Sequence, residues 1–291
     1  EALRSGAITG NIYVVIDNFG ALWSWKQPDK LEPQKVEGDY PFFVSVIGDY
    51  YFVFVLDEFG DVWRAPVADE LKLQKTKIMN MRSIYPSTTT GSCFALDDSG
   101  TLWKMTVGDK KILNEKLPPL KMFSSSNCKA GVDFDGNVWT WRNDKKIPKK
   151  IDLPFKKAKS AFAEFDIVKI LCEDGKLWKF FDHDTPVAPL FHQLPPLITV
   201  SVSGGHSIAL CEDGTAYGWG SNHSGELGID FQTANAYSPC QIPNIPPINT
   251  AICGPYYSML IGKDGELFIL RLGIQRTDKI PQAFIRKRSA K

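Results

Sequence analysis

A glycine turn that recurs at nearly constant spacing constrains this chain more than any other feature of its sequence. Each copy has a hydrophobic stretch before the glycine and an aromatic residue three positions after it, as in Val53–Trp63. Successive turn glycines are 36 to 51 residues apart, and the copies together account for the chain. A period of this size indicates a repeat architecture in which each unit is one supersecondary element. The turn glycines are Gly20, Gly60, Gly100, Gly136, Gly175, Gly214 and Gly265.

Each repeat predicts a four-stranded antiparallel sheet. The alternation of V-F-V-L before Gly60 and V-W-R after it is typical of a hairpin, in which glycine supplies the positive φ of the turn. A further short strand precedes each hairpin, as in Phe42–Gly48, and another follows it, usually beside a proline. Because proline donates no ladder hydrogen bond, this fourth strand is expected at a sheet edge. Fourth strands are predicted at Glu32–Val36, Ser238–Pro243 and Lys279–Ile285.

Seven such sheets can share one core by packing face to face around an axis, whereas a single sheet buries too little. The sequence therefore predicts an all-β fold, a seven-bladed β-propeller that forms one domain over residues 1–291. Each aromatic residue buries roughly 150 to 250 Å² and is expected to fill the gap between neighbouring blades. A stacking platform for bases or sugars is the alternative role, but it would not need a copy in every blade. The predicted anchors are Trp23, Trp63, Trp103, Trp139, Trp178 and Phe268.

The composition favours a protein of a reducing compartment. No run of about 18 apolar residues predicts a membrane-spanning helix, and the first ten residues lack the apolar stretch of a signal peptide. The six cysteines form no C-x-x-C pair, and Cys172 and Cys211 occupy the same position in adjacent repeats. Free thiols in buried strands are therefore expected, which points to the cytoplasm.

The chain carries none of the motifs of several common enzyme classes. It has no G-x-S-x-G, no G-x-x-x-x-G-K-(S/T) and no G-x-G-x-x-G. The D-H-D cluster at Asp182–Asp184 lacks a second histidine at metal-ligand spacing and predicts a loop. His206 and Asp213 lie at opposite ends of one predicted strand, which rises roughly 3.3 Å per residue. The two side chains are therefore too far apart to form a catalytic triad with Ser203. No metal or cofactor is expected, and the sequence predicts no hydrolytic or redox site.

One repeat carries a more specific motif. Ser201–Gly228 has the sequence S-V-S-G-G-H-S-I-A-L-C-E-D-G-T-A-Y-G-W-G-S-N-H-S-G-E-L-G. It resembles the repeat of the regulator of chromosome condensation family, in which the histidine, the D-G turn, W-G, the asparagine and the loop glycines occur in this order. The resemblance implies a seven-bladed propeller of the kind found in Ran guanine nucleotide exchange factors. The other six repeats keep the turn but lose the W-G-x-N loop, and tectonin-like and quinoprotein propellers are the nearest alternatives.

The resemblance also implies a partner and a binding face. In the family's exchange factors, acidic and histidine side chains in the turn between the first and second strands contact the GTPase. A Ran-like small GTPase is thus the expected partner, bound on the face formed by these turns and by the loops between the third and fourth strands. Those exchange factors carry an inserted wedge for which repeats of 36 to 40 residues leave no room, so nucleotide exchange is left open. The implied partner-binding residues are Asp49, Tyr50, Glu164, Asp166, His206, Asn222, His223 and Glu226.

Charge is unevenly distributed although the net charge is only +1. Residues 1–70 contain 5 Lys and Arg against 12 Asp and Glu, whereas residues 71–160 contain 18 against 8. Since successive repeats are successive blades, an acidic arc is expected beside a basic arc. The basic segment is either a solvated rim or a docking patch for an acidic or phosphate-bearing partner, with nucleic acid the weaker candidate. The predicted basic patch contains Lys145, Lys146, Lys149, Lys150, Lys156 and Lys157.

The sequence leaves several functions open. The first is a monomeric protein-interaction propeller that binds a Ran-like GTPase, with activation by nucleotide exchange left open. Compact family members of this kind occur among the effectors that intracellular bacteria deliver into host cells. The alternative is a non-catalytic scaffold or the substrate adaptor of a ubiquitin ligase, and a lectin-like or hydrolytic propeller is weaker. The basic segment Ile285–Lys291 is expected to attach to membranes only if a lipidated C-terminal end has been removed.

Overall fold

The fold is a ring of seven antiparallel sheets. The computed structural model describes residues 3–9, 12–26, 33–68, 70–106, 109–113, 116–142, 147–181, 186–191, 193–203, 205–230, 233–263, 266–271 and 274–278. Within these ranges the strands form seven four-stranded sheets, so the predicted seven-bladed β-propeller is confirmed. The described part contains no helix, and hence none that could cross a membrane.

Each blade uses four consecutive strands, which pair in chain order. Blade 1 contains β1 (Leu3–Thr9), β2 (Ile12–Asp17), β3 (Leu22–Lys26) and β4 (Gln34–Lys35). Blade 2 contains β5 (Phe43–Gly48), β6 (Phe52–Asp57), β7 (Val62–Pro66) and β8 (Gln74–Lys75). Blade 3 contains β9 (Met81–Pro86), β10 (Cys93–Asp97), β11 (Leu102–Thr106) and β12 (Asp109–Ile112). Blade 4 contains β13 (Leu120–Ser125), β14 (Lys129–Asp133), β15 (Val138–Trp141) and β16 (Lys149–Lys150).

The remaining three blades follow the same plan. Blade 5 contains β17 (Ala158–Glu164), β18 (Ile167–Cys172), β19 (Leu177–Phe181) and β20 (Pro186–Leu190). Blade 6 contains β21 (Leu197–Ser203), β22 (His206–Cys211), β23 (Ala216–Ser221) and β24 (Asn235–Gln241). Blade 7 contains β25 (Ile248–Cys253), β26 (Ser258–Gly262), β27 (Leu267–Arg271) and β28 (Ile274–Asp278). The first strands of successive blades contact one another and surround the axis.

The fourth strands lie at the outer edge, as predicted from their prolines. Pro239 lies within β24, and β4 and β8 have only two residues each. One boundary was predicted wrongly: the fourth strand of blade 7 is Ile274–Asp278, whereas Lys279–Ile285 lies outside the described residues. The reason is that Ile274 already pairs with Arg271 of β27, so the fourth strand begins earlier in the chain than the proline predicts.

The turn glycines join successive blades as well as reversing the chain. Six are described, all with positive φ, from 72° at Gly20 to 93° at Gly214, whereas Gly265 lies outside the described residues. Each of the six carbonyls accepts the N–H of the residue that starts the next blade, as in Leu120 N to Gly100 O at 2.8 Å. A Cβ at Gly100 would lie 2.7 Å from Leu120 N. Glycine is therefore required for two reasons: the positive φ of the turn, and the close contact with the next blade.

An aspartate at the start of the turn fixes the aromatic anchor in four blades. One carboxylate oxygen of Asp57 accepts the backbone N–H groups of Phe59 and Asp61, and the other accepts the Trp63 indole N–H at 2.8 Å. Because an indole N–H taken from water needs an acceptor, this pair, which we call the Asp–Trp clasp, sets the orientation of the ring. The four clasps are Asp17–Trp23, Asp57–Trp63, Asp97–Trp103 and Asp133–Trp139.

The anchors pack between blades, which confirms their predicted role. Trp63 of blade 2 packs on a core that includes Val14 and Ile16 of blade 1, and Phe268 of blade 7 packs on Ile208 of blade 6. The ring closes in the same way. Tyr13 and Val15 of blade 1 pack with Met259 and Ile261 of blade 7, without any described strand shared between the two blades. Side-chain burial between the first and last blades therefore holds the described ring closed.

The Asp–Trp clasp makes part of the stability depend on acid pH. Burial acts to raise the pKa of Asp133, but hydrogen bonds from Trp139 and Asn137 outweigh it and hold the pKa below its usual value. Because the pKa of this carboxyl is lower in the folded state than in the unfolded state, its ionised form stabilises the fold. This stability is fully present at a pH above the unfolded-state pKa of about 3.9, and it is lost as the pH falls through the folded-state pKa.

We therefore expect Asp133→Asn to flatten the decline of the melting temperature on acidification, measured by circular dichroism between about pH 5 and pH 2. Asp135→Asn changes an exposed carboxylate of the same turn and serves as the control, which should keep the wild-type slope. Parallel profiles for Asp133→Asn and the wild type would contradict a role of the clasp in acid unfolding.

Candidate partner-binding face

The two faces of the ring carry different connections. In every blade the turn between the first two strands and the loop between the last two lie on one face, which we call the upper face. The glycine turns lie on the opposite, lower face. All eight residues implied as partner-binding lie in upper-face connections or at their ends, in blades 2, 5 and 6. The ring thus brings them to one side of the molecule, but their side chains have different surroundings.

The Asp49 carboxylate is occupied by backbone groups. One oxygen accepts the N–H groups of Tyr51 and Phe52, both at 2.8 Å, and the other accepts Gly91 N–H of blade 3 at 2.6 Å. The Asp49 carbonyl accepts the hydroxyl of Thr9 in blade 1. Asp49 therefore fixes its own turn and links three blades, and its neighbours Tyr50 and Tyr51 are presented to solvent.

Glu164 faces a buried lysine. Its carboxylate lies 2.5 Å from Lys169 Nζ, which also donates to Ser207 Oγ of blade 6 at 2.5 Å. The ammonium group lies 5.5 Å from the centre of the Trp219 ring. Burial lowers the pKa of Lys169, and the attraction of Glu164 opposes this shift. The pair is an ionic contact between blades 5 and 6 with little access to solvent.

His206 is completely buried and joins blades 6 and 7. Its Nε2 lies 2.8 Å from Ser258 Oγ, and the Ser258 hydroxyl donates to the Glu226 carbonyl at 2.8 Å. Burial lowers the pKa of His206 to about 4, so the imidazole is neutral at pH 7. Because Ser258 is also fully buried, the pair stabilises the packing between blades and cannot meet a substrate without local opening.

Asn222 and Glu226 shape the long loop of blade 6. The Asn222 amide donates to the carbonyls of Asp230 and Thr233 and accepts Leu227 N–H. The Glu226 carboxylate accepts the Ser221 hydroxyl and Ser224 N–H, both at 2.7 Å. Both side chains are buried, so the residues that give this repeat its specific motif have a structural role in the loop.

Three of the eight implied residues are exposed and can contact a partner directly. The Tyr50 side chain is 71% exposed. The Asp166 carboxylate is exposed and lies 3.9 Å from the Arg142 guanidinium. His223 is exposed, with Nε2 3.4 Å from the amide of Asn235. The available chemistry is therefore one aromatic ring, one carboxylate and one imidazole, spread over blades 2, 5 and 6.

Sequence reasoning missed the other aromatic residues of the same turns. Phe165, in the turn A-E-F-D, is 52% exposed, and Tyr256, in the turn G-P-Y-Y, is 67% exposed. Phe165 has a φ of 49°, which is uncommon for a bulky residue. Its N–H donates to Ser126 Oγ and its carbonyl accepts Cys128 N–H, so blade 4 holds this conformation. An aromatic side chain in a short turn was the available signal, since such side chains are enriched at interfaces.

The four described residues of the predicted basic patch lie away from the upper face. Lys149 and Lys150 form β16 at the outer edge of blade 4, and Lys156 and Lys157 follow on the lower face. A Cβ at Gly136, in the lower-face turn of blade 4, would lie 2.8 Å from Lys157 Cβ. Lys145 and Lys146 lie outside the described residues. The described part of the patch therefore lies on a different surface from that of Tyr50 and Asp166.

The described residues form no disulfide and no cluster of metal ligands. All six cysteines are free, as predicted, and four of them are buried. No three His, Cys, Asp or Glu side chains of the described residues are placed to hold a metal ion. The D-H-D cluster at Asp182–Asp184 lies outside those residues.

Comparison with known proteins agrees with the geometry of blade 6. Models of the regulator of chromosome condensation (RCC1) repeat match residues 198–226 and 213–261. The first match contains the buried His206, Asn222 and Glu226. Residues 198–261 of this chain therefore carry RCC1 repeats. A Xenopus laevis RCC2 homologue is 31% identical over 113 residues, which cover 34% of this chain and 22% of the relative.

Two further relatives extend the comparison. The human probable E3 ubiquitin-protein ligase HERC6 is 34% identical over 79 residues, which cover 26% of this chain and 8% of the relative. Prp20p from Saccharomyces cerevisiae, characterised for its binding to Gsp1p and histones, superposes with a TM-score of 0.73 at 16% identity. That superposition covers 88% of this chain and 81% of Prp20p. The RCC1-repeat propeller shares the Prp20p fold, whereas its sequence matches span about a fifth or less of these curated relatives.

Proposed function

We propose that this RCC1-repeat propeller binds a Ran-like small GTPase with its upper face. Support comes from the likeness to Prp20p, which was studied for its binding to Gsp1p. The observation that carries the proposal is the set of exposed aromatic side chains on the upper-face turns of blades 2, 5 and 7. These are Tyr50, Tyr51, Phe165 and Tyr256.

The turns that carry these rings are ordered before any partner arrives. The Asp49 carboxylate fixes the turn of Tyr50 through three backbone N–H groups, and Ser126 and Cys128 fix the backbone of Phe165. Pre-organised turns lose little conformational entropy on binding, and aromatic residues supply a large share of interface energy. The upper face thus presents rigid anchors of the kind found at protein–protein interfaces.

Binding without nucleotide release is the expected outcome. Of the four implied acidic residues, Asp49, Glu164 and Glu226 are committed to internal contacts, which leaves the exposed carboxylate of Asp166. One carboxylate can hold a basic segment of a GTPase, but it offers little with which to displace a bound nucleotide. Repeats of 36 to 40 residues also leave no room for the wedge of the family's exchange factors.

The test mixes the protein with Ran and related GTPases that carry fluorescent GDP, and follows complex formation and nucleotide release separately. We expect Asp166→Lys combined with Tyr256→Ala to weaken binding at least about tenfold, because the change removes an anchor and reverses a charge. Asp152→Lys combined with Ile198→Ala is the matched control, since both residues are exposed on the lower face. Equal losses for the two variants would contradict the upper-face assignment.

A non-catalytic adaptor is the second candidate, favoured by the sequence match with HERC6. An adaptor would use the same rigid aromatic turns but would select a partner other than a GTPase. This candidate is preferred if no tested GTPase binds, and if Phe165→Ala abolishes capture of one folded partner protein that the Ile198→Ala control still captures.

A further inference from the structure

Every inner strand contains a bulge at the same point. In each blade the pairing of the first and second strands shifts by one residue just after the first strand begins, for example between Leu120 and Met122 in blade 4. A bulge inserts one unpaired residue and changes the direction of its side chain. The bulged residues, from blade 1 to blade 7, are Arg4, Val44, Arg82, Lys121, Lys159, Ile198 and Asn249.

The bulged residues emerge on the lower face close to the axis. Each follows the first residue of an inner strand, and in blades 2 to 7 that residue is bonded to the lower-face glycine turn of the preceding blade. In blade 5, for example, Ala158 N–H donates to Gly136 O at 2.9 Å, and Lys159 is the next residue. The bulges of blades 2 to 7 therefore place one side chain per blade around the lower end of the axis.

Three consecutive blades place a basic residue at this position. Lys121 and Lys159 are exposed, and the Arg82 guanidinium is held by the carbonyls of Leu120 and Lys121 at 3.0 and 3.3 Å. The described bulged side chains of the other blades are uncharged. Among the described side chains, the basic bulged residues therefore lie in the three consecutive blades 3 to 5, at equivalent positions of the repeat.

Two further features extend this sector. Lys156 and Lys157 are exposed in the segment that leads into blade 5 on the same face. Phe134, in the lower-face turn of blade 4, is 56% exposed and lies under Arg82, whose guanidinium carbon is 5.5 Å from the ring centre. We name the set Arg82, Lys121, Lys156, Lys157 and Lys159 the lower basic arc.

We propose that the lower basic arc binds an acidic peptide segment of a partner protein, with Phe134 as an apolar contact. Discrete carboxylates of a peptide can each meet one cation, and an apolar residue between them can lie on Phe134. Asp98, Asp135 and Asp152 are exposed in the lower-face connections of blades 3 and 4. A continuous phosphate backbone fits this sector less well, because a peptide can place uncharged residues beside these carboxylates and a regularly charged backbone cannot. The site lies opposite the proposed GTPase-binding face and does not depend on it.

The test measures fluorescence anisotropy of a labelled glutamate-rich peptide that contains one phenylalanine, with the full chain as titrant. Lys121→Glu combined with Lys159→Glu is expected to weaken binding at least about tenfold. Lys149→Glu combined with Lys150→Glu is the matched control, since it makes the same charge change on the exposed outer strand of blade 4. The control should bind like the wild type, and Phe134→Ala should weaken binding without altering its salt dependence.

Four results would overturn the proposal. They are no peptide binding at low salt, equal losses for the two charge-reversal variants, tighter binding of a single-stranded oligonucleotide than of the peptide, and tighter binding to anionic vesicles. The second would show a dependence on net charge alone, and the last two would assign the arc to a nucleic acid or a membrane. GTPase binding by the same variants should be unchanged, so the two functions are tested separately.

Discussion

Gly100→Ala is expected to lower the free energy of unfolding by roughly 3 kcal/mol, which is a large part of the stability of an ordinary domain. A methyl group at this position meets two penalties. The backbone has a φ of +83°, which costs an L-residue about 1 to 2 kcal/mol. The added Cβ would also lie 2.7 Å from the nitrogen and 2.8 Å from the oxygen of Leu120 in the next blade, so the two blades must separate.

Gly205→Ala separates the two penalties. Gly205 has a similar φ of +88°, but an added Cβ would meet nothing closer than 3.9 Å. This variant should lose only the backbone part, about 1 to 2 kcal/mol. Urea unfolding followed by tryptophan fluorescence measures both variants against the wild type. Equal losses would show that the contact between blades adds nothing and that the turn conformation alone requires glycine.

Lys169→Met is expected to cost about 3 to 5 kcal/mol, the range for breaking a buried ion pair. The substitution leaves the Glu164 carboxylate buried without its cation and removes the donor to Ser207 of the next blade. Adding Glu164→Gln should recover a large part of the loss, because the neutral amide no longer requires a counter-ion. Thermal and urea unfolding of the single and double variants measure this coupling.

Lys176→Met is the control for the loss of a lysine from an ion pair. Lys176 pairs with Asp174 at 3.0 Å on the surface, where both side chains are more than half exposed. An exposed pair of this kind contributes at most about 1 kcal/mol, so the control should change stability little. A double variant as unstable as Lys169→Met would show that Lys169 acts through packing on Trp219 and not through its charge.

The architecture was predictable because short, local sequence patterns determine it. The glycine turns, the preceding apolar strands and the aromatic anchors recur within about a dozen residues of one another, and their period fixes the number of blades. The local pattern also contains the aspartate and the tryptophan of the Asp–Trp clasp, which are six residues apart. Only the structure showed that Asp57 accepts the Trp63 indole N–H. The misplaced fourth strand of blade 7 shows the limit, since proline near a strand does not set its position.

The candidate site was less predictable. The resemblance named side chains by type and position, and the structure buries five of the eight or occupies their polar atoms. His206 is the clearest case, because its partner Ser258 is 52 residues away in the next blade. The exposed rings of Phe165 and Tyr256 were visible in the sequence as residues of short turns. Nothing local distinguished them from the aromatic residues that face the core.

The sequence by itself determined that seven four-stranded units form this chain, since hydrophobic alternation, glycine turns and aromatic spacing act over a few residues. Only the tertiary structure decided which polar side chains are buried between blades, because their partners come from blades about 40 to 50 residues away. It also decided that Arg82, Lys121 and Lys159 share one surface. A one-residue bulge reverses which face a strand residue occupies, and no pattern within a single strand reports it.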